Sequence, residues 1–480
     1  MNCLQGRYGK MNIGLDQLVC DLENIVGKNY VYGDLFERIN YADTLLPYDV
    51  EEEFLPDVVI QPGNAQEVAK ILMYATEHNI PVTTYGSGTD LIFPTKPKHQ
   101  GITMSTERMN FLNIDEEHQY LECGPGIKTG KVIREIGKLG YFLPIQTQAG
   151  SSMGGAVSIN TIGHLADNIF GRPVHNVLGL EVVLPTGEVI ETGSKCLRRS
   201  AGWDLGRVFI GSEGMLGVIT KIRMILVPMP ETVDAVGFFK TNEEVGHVMT
   251  LMYQKKLPLP MDGEFVGKKA CKVGCENYGL NFPEGAMAVI KAMGRTKEEA
   301  TRNAQEVVDL FKSEGATEAF VIKDQEVAEN VWAVRENVMR WGKEKGKKGG
   351  RAIEVNPILP RMAEAITSLE HITEARTDLI AETEAYLYGH VGSGSLHCYL
   401  TYPHGWSDEK MKRFIDDIWN VEKELQLKYG GIGGDWGWFP YRLPLYRETY
   451  GDTSYEIIKK IKNLFDPNNI LNRGNLEGEV

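Results

Sequence analysis

The sequence predicts an α+β chain with more than one domain, and three observations lead there. Short apolar runs alternate with amphipathic helical segments over residues 54–230. Glycine-rich loops follow in a fixed order at Gly86-Ser87-Gly88-Thr89, Gly150-Ser151-Ser152-Met153-Gly154-Gly155 and Gly211-Ser212-Glu213-Gly214. At Pro228-Met229-Pro230 the character changes to longer amphipathic helices between isolated strands, the mark of a second α+β domain. The chain has 480 residues, beyond the roughly 250–300 at which a single core stops growing. We therefore expect a first domain over 1–230 with its core at 54–230, a second over 231–430, and a segment 431–480 that returns to the first.

The elements follow in order. The first fifty residues read as a helical lead-in that ends in Glu51-Glu52-Glu53. Val58-Val59-Ile60 is a short buried strand. Asn64 caps the next helix, with Glu67 at the capping-box position and Val68, Ile71, Leu72 and Ala75 on one face. A strand over 80–84 leads into the first glycine loop, completing an α/β unit. Residues 132–139 form a helix before the second loop. Residues 177–184 are strongly β, and Pro185-Thr186-Gly187-Glu188 turns them into 189–191 as a hairpin. The apolar runs 208–210 and 218–226 bracket the third loop. Beyond residue 230, helices are expected at 297–313, 325–341, 360–373 and 408–429, with strands such as 288–293 and 385–388. A helix over 455–465 and the stop Asp466-Pro467-Asn468-Asn469 close the chain.

Charge and cysteine usage exclude several functions. Lys and Arg number 51 against 65 Asp and Glu, a net charge of −14, which argues against nucleic acid or an anionic membrane as main partner. An anionic cofactor is then expected on backbone amides and helix ends rather than on a basic surface. The seven cysteines match no iron–sulfur or zinc spacing, and reduced thiols in a cytoplasmic protein are the expectation. No run of eighteen apolar residues and no export signal is found, so neither membrane spanning nor secretion is expected. Closely spaced glycines let bare N–H groups approach a ligand, so three such loops suggest one large nucleotide wrapped by several segments.

The segments "IPVTTYGSGTDL", "AGSSMGGAVSIN", "VLGLEVVLPTGEVIETG", "VFIGSEGMLGVIT" and "LFDPNNILNRG" resemble the FAD-binding segments of the vanillyl-alcohol oxidase/p-cresol methylhydroxylase (PCMH) flavoprotein superfamily. Within it the chain is most similar to the branch that contains the flavin subunit of glycolate oxidase, D-lactate dehydrogenase and D-2-hydroxyglutarate dehydrogenase. The resemblance implies a PCMH-type FAD-binding domain of two α/β subdomains plus an α+β cap domain with an antiparallel sheet. It further implies that Tyr85, Gly86, Ser87, Gly88, Thr89, Gly150, Ser151, Ser152, Gly154, Gly155, Asn160, Gly214, Ile219 and Asn472 hold FAD. Some members tether the flavin through a histidine in the first loop. Here that stretch reads Thr89-Asp90-Leu91, so non-covalent FAD is expected.

A second constellation is Gly389-His390-Val391-Gly392-Ser393-Gly394-Ser395-Leu396-His397. Residues seven apart on an unbroken strand face opposite ways, but Gly392 and Gly394 let the chain bend and the imidazoles converge. The stretch is similar to the branch's GHxGDGNxH motif, whose histidines bind a divalent metal (Zn, Fe or Mn) beside the flavin; two buried, hydrogen-bonded histidines are the alternative. The branch's downstream GEHG reads Gly434-Asp435-Trp436-Gly437. Asp435 is thus the implied third ligand, while Trp436 has only an N–H to donate and cannot serve as base. Arg335, in "VWAVRENV", stands where the branch holds the substrate carboxylate, although a helical arginine also snorkels to water. Glu354 aligns too loosely to assign, and His164 and His175 flank the second loop as structural or cofactor-proximal groups.

The resemblance thus implies an FAD-linked dehydrogenase that oxidises a small 2-hydroxy acid by hydride transfer. Electrons then pass to an electron-transfer flavoprotein or an iron–sulfur subunit, and the assembly is oligomeric. Trp436-Gly437-Trp438-Phe439-Pro440-Tyr441-Arg442 is loosely similar to the Trp-Gly and Tyr-Arg elements of the phenol-oxidising branch. That resemblance implies a rival, in which Tyr441 and Arg442 stabilise a phenolate while a para-substituted phenol or aryl alcohol is oxidised without metal. A non-catalytic FAD-binding subunit of a larger complex is the third reading.

Overall fold

A computed structural model describes residues 13–42, 54–89, 95–145, 147–161, 167–196, 200, 202–338, 349–372, 383–403, 405–430 and 442–476. The chain divides into two compact units. One combines Met1–Thr161, Arg172–Pro228 and Trp436–Val480; the other combines Ile162–Gly171 and Met229–Asp435.

The first unit contains two main sheets. β1 (Val31–Tyr32), β2 (Val58–Ile60), β3 (Val82–Tyr85) and β4 (Ile102–Ser105) lie in the order β1-β2-β4-β3, with β2 and β3 parallel to β4. Strands of a parallel sheet are covered on both faces, which is why Val58, Val59 and Ile60 are all apolar and all buried. The helix Ala65–His78 crosses this sheet with Val68, Ile71, Leu72 and Ala75 inward. Asn64 caps it by accepting the Glu67 N–H at 2.9 Å, whereas the Glu67 carboxylate reaches past the cap residue to the N–H of Gly63. Asn79, at φ 53, ends it in the left-handed region. The N-terminal helix Leu15–Val26 adds Leu18, Leu22 and Val26 to the same core, so the lead-in is a structural part of the unit.

The second sheet is antiparallel in the order β5-β6-β10-β8-β9, from Leu112–Asp115, Tyr120–Cys123, Val218–Ile225, Val177–Val183 and Val189–Gly193 respectively. β7 (Tyr141–Phe142) and β11 (Val227–Pro228) form a separate two-stranded ribbon. The apolar run at 208–210 is not a strand: Gly206–Phe209 makes one helical turn, and Phe209 packs edge-on against Phe465, with ring centroids 5.2 Å apart.

The C-terminal segment is bound into this unit by backbone and by charge. Val82 donates to Ile470, and Asn472 donates back to Val82. On the helix Asp452–Phe465, Lys462 is 4% exposed, and Asp466 just beyond it is 0% exposed. The Lys462 ammonium donates to Asp466 at 2.5 Å and to the carbonyls of Met215 and Leu471 at 2.9 Å. Asp466 also accepts the N–H groups of Ile470 and Leu471.

The second unit is a seven-stranded antiparallel sheet in the order β15-β12-β14-β13-β17-β18-β16. Its strands are β12 (Glu231–Phe239), β13 (Asp262–Val266), β14 (Ala286–Gly294), β15 (Glu318–Val321), β16 (Gly349–Val355), β17 (Glu384–His390) and β18 (Ser395–Tyr402). Asn242–Gln254, Lys297–Ser313, Met362–Glu370 and Asp408–Tyr429 pack on one face; Lys268–Tyr278 and Gln325–Glu336 cover the other. The helix expected over 325–341 stops at Glu336, and Asn337 donates both its backbone and side-chain N–H to Ala333. Among the described residues, no helix is long and apolar enough to cross a membrane.

Removing one member of a buried ion pair leaves the other uncompensated, at about 3–5 kcal/mol. Lys462→Met is therefore expected to lower unfolding stability by about that much, read from urea denaturation of the purified protein.

Candidate functional site

The first unit contains an open cleft with about 820 Å³ of empty space, its mouth included. All three glycine loops and the C-terminal segment contribute to its wall. Gly86, Ser87, Gly88 and Thr89 line it from the end of β3; Ser151, Ser152, Gly154 and Gly155 from the start of the helix Met153–Ser158; Gly214 and Ile219 from the third loop and β10; and Asn472 from the C-terminal segment. Tyr85, Gly150 and Asn160 stand outside the lining. The Tyr85 hydroxyl lies where a Cβ on Gly88 would be, and Gly88 itself has φ +61, so this turn requires glycine. Asn160, at φ 50, accepts the Val174 N–H at 3.0 Å.

Close approach fixes the second loop as well. A Cβ on Gly154 would meet Pro125 Cβ at 2.6 Å and its carbonyl oxygen at 3.0 Å. Ser152 caps the short helix by accepting from the Gly155 N–H, and Thr89 and Ser151 share a hydrogen bond of 2.8 Å between the first and second loops. The third loop is fastened twice. Glu213 N–H donates to Ser158, while Asn472 donates to the Glu213 carbonyl at 2.6 Å and accepts the Thr84 N–H at 3.1 Å. Lys128, which no sequence motif marks, donates from Nζ to Ser87 Oγ at 2.7 Å. This wall of glycines, hydroxyls and backbone amides suits the phosphates and ribityl hydroxyls of a dinucleotide flavin.

The second unit gathers polar groups on the sheet face beneath Gln325–Glu336. Strand register explains the assembly. β13 and β17 pair Phe265 with Gly389, which continues to set Glu264 opposite His390. β17 and β18 pair His390 with Ser395 and Tyr388 with His397, and β16 and β18 pair Glu354 with His397. Two adjacent cross-strand rows result, Glu264–His390–Ser395 and Tyr388–His397–Glu354. The two imidazoles do converge, with ring centroids 5.3 Å apart, around the turn where Gly394 has φ +86.

Arg335 is buried at 4% exposure and pairs through Nε with Glu264, itself 0% exposed. Its second amino group lies 3.3 Å from His390 Nδ1, and its guanidinium lies 4.7 Å from the centre of the Tyr388 ring. Glu264 Oε1 takes His390 Nδ1 at 2.6 Å. The helical arginine thus faces inward, not toward water. Ser395 stands 3.3 Å from His397 Nε2 and donates to Glu354, which also accepts from Asn356. Burial, followed by the neighbouring Glu264 charge, raises the Asp262 carboxyl well above the usual aspartate range.

Glu354, too loosely aligned to assign from sequence, stands opposite His397, and Glu264 was missed as a site residue. The available signal was an acid inside an apolar strand, "DGEFV", since a buried carboxylate requires partners. His175 accepts the Arg172 N–H and closes the turn Pro173–Asn176, a local role. His164, Asp435, Trp436 and Tyr441 lie outside the described residues, as does the Arg442 side chain, whose backbone opens the helix Arg442–Tyr450. Among the described residues, no three imidazole, carboxylate or thiol groups gather as a metal-binding set.

The cleft and the two-unit architecture define a flavoprotein of the PCMH-type fold. Residues 56–193 match the FAD binding domain, and residues 229–476 match the C-terminal domain of FAD linked oxidases. The chain belongs to the FAD-linked oxidase family of the vanillyl-alcohol oxidase/PCMH superfamily, and it is an FAD-linked oxidoreductase. It is 28% identical over 452 residues to glycolate oxidase subunit GlcD of Bacillus subtilis, covering 92% of this chain and 93% of that protein. It is also 28% identical over 423 residues to D-lactate dehydrogenase of Archaeoglobus fulgidus, covering 87% and 90%. Among solved structures, p-cresol methylhydroxylase with substrate bound superposes with a TM-score of 0.76 at 17% identity, over 96% of both chains. That likeness concerns the fold.

Two outcomes follow from this geometry. Gly154→Ala overpacks the second loop against Pro125 at a cost of about 1–3 kcal/mol, and the purified variant is expected to carry several-fold less flavin absorbance per protein. Asp262, with its folded pKa raised, contributes stability at low pH that is lost as pH rises above the ordinary aspartate range through the folded value. Asp262→Asn is expected to change stability little in acid and to flatten the decline toward alkaline pH, measured as Tm across a pH series.

Proposed function

We propose that the protein is an FAD-dependent dehydrogenase that oxidises a small 2-hydroxy acid and passes the electrons to a protein partner. The observation that carries this reading is the buried Arg335 guanidinium, fixed by Glu264 beside the His390 imidazole in a member of the FAD-linked oxidases. The names of its relatives, glycolate oxidase subunit GlcD and D-lactate dehydrogenase, support the substrate class.

In this reading the loops at Gly86, Gly150 and Gly211, with Asn472, hold FAD non-covalently. Bound FAD supplies the hydride acceptor. Arg335 presents its remaining N–H donors to the substrate carboxylate, with Glu264 and Tyr388 fixing the guanidinium plane. His390 is oriented through Nδ1 by Glu264. That arrangement suits an imidazole accepting the hydroxyl proton through its other nitrogen, and equally one that ligates a metal. In the metal form, His390, His397 and Asp435 would hold a divalent ion that lowers the pKa of the substrate hydroxyl. The electron acceptor we propose is an electron-transfer flavoprotein or an iron–sulfur subunit.

The test is anaerobic bleaching of the flavin by a panel of D- and L-2-hydroxy acids and para-substituted phenols, with and without chelator. A 2-hydroxy acid is expected to bleach it. Bleaching by phenols alone sinks the proposal in favour of the aryl-alcohol reading, and bleaching by neither favours a non-catalytic subunit. Metal analysis with the chelator arm decides between the two forms of His390: a rate unchanged in metal-free protein leaves the imidazole as proton acceptor.

A further inference from the structure

The flavin cleft poses a charge problem that its lining does not solve. A dinucleotide flavin brings a pyrophosphate with two negative charges. Among the described residues that line the cleft, the charged side chain is Glu213, also negative and 4% exposed. Backbone N–H groups supply only partial charges.

Lys128 stands immediately behind the lining. It is the half-buried residue that precedes the helix Thr129–Gly137, and its backbone bridges to Ser152 in the second glycine loop. Its ammonium reaches the first loop, where it donates to Ser87 Oγ at 2.7 Å. One residue thus touches both loops, by backbone on one side and by charge on the other. Ser87 accepts from the ammonium, so its own proton is left to donate onward to an anionic oxygen.

We infer that Lys128 is a cofactor-binding residue that supplies the positive charge for the FAD pyrophosphate, with Ser87 as its relay. The inference rests on the FAD-binding assignment and adds to it the full cation that the glycine loops lack. The acidic chain then needs no basic surface around the cleft, because a single ammonium is placed where both loops converge.

The test compares flavin-free wild type, Lys128→Met and Lys128→Arg by titration with FAD and with riboflavin, which carries no phosphate, at low and high salt. Lys128→Met is expected to weaken FAD binding about tenfold or more, as for a lost charge-assisted hydrogen bond. Its riboflavin affinity should stay at the wild-type value, and the salt dependence of its FAD Kd should flatten. Lys128→Arg should restore most of the affinity and the salt dependence. An unchanged FAD Kd in Lys128→Met overturns the inference, as does an equal loss for FAD and riboflavin, which marks a loop-stiffening role. A salt dependence that survives in Lys128→Met also overturns it. Failure of the wild type to bind FAD would count against the cofactor assignment itself, which separates the two.

Discussion

The buried pair of Lys462 and Asp466 is the interaction on which the flavin cleft depends. Neither charge reaches water, so each must be satisfied by fixed partners, and those partners come from distant parts of the chain. The ammonium holds the Met215 carbonyl beside the third glycine loop and the Leu471 carbonyl in the C-terminal segment. The carboxylate fixes the backbone at Ile470 and Leu471. Asn472 follows directly and ties Thr84 to Glu213. A wall built from separate segments is therefore registered by one ion pair and the amide next to it.

Buried charge organises the second unit in the same way. Glu264, Arg335 and His390 satisfy one another on the sheet face, and Tyr388 stacks on His397 in the adjacent row. Each group is costly to bury alone and acceptable together, so their mutual contacts fix rotamers that a solvated arginine or histidine would not keep. That fixed orientation is what the carboxylate-binding role proposed for Arg335 requires.

Much of this was legible in the sequence, and unevenly so. The glycine loops declared themselves because tight turns and close backbone approach restrict residue type locally, as Gly88 and Gly154 show. The helix after Asn64 was readable from its cap and its period. The turn at 206–209 was not, since the three-residue apolar run 208–210 carries no period and the packing of Phe209 on Phe465 is set from far along the chain. Glu264 and Lys128 were invisible, and Glu354 unassignable, for a related reason: each takes its place from a partner on another strand or loop.

By itself, then, the sequence determined the α+β class, the order of the glycine loops and the family to which they belong, because these rest on local backbone constraints and on motifs read in a line. Only the tertiary structure decided which charges meet. The strand register that sets Glu264 against His390, the inward turn of Arg335, the reach of Lys128 to Ser87 and the closing of Lys462 on Asp466 are pairings made in space. Burial makes such pairings obligatory, but no spacing along the chain encodes which partner each will find.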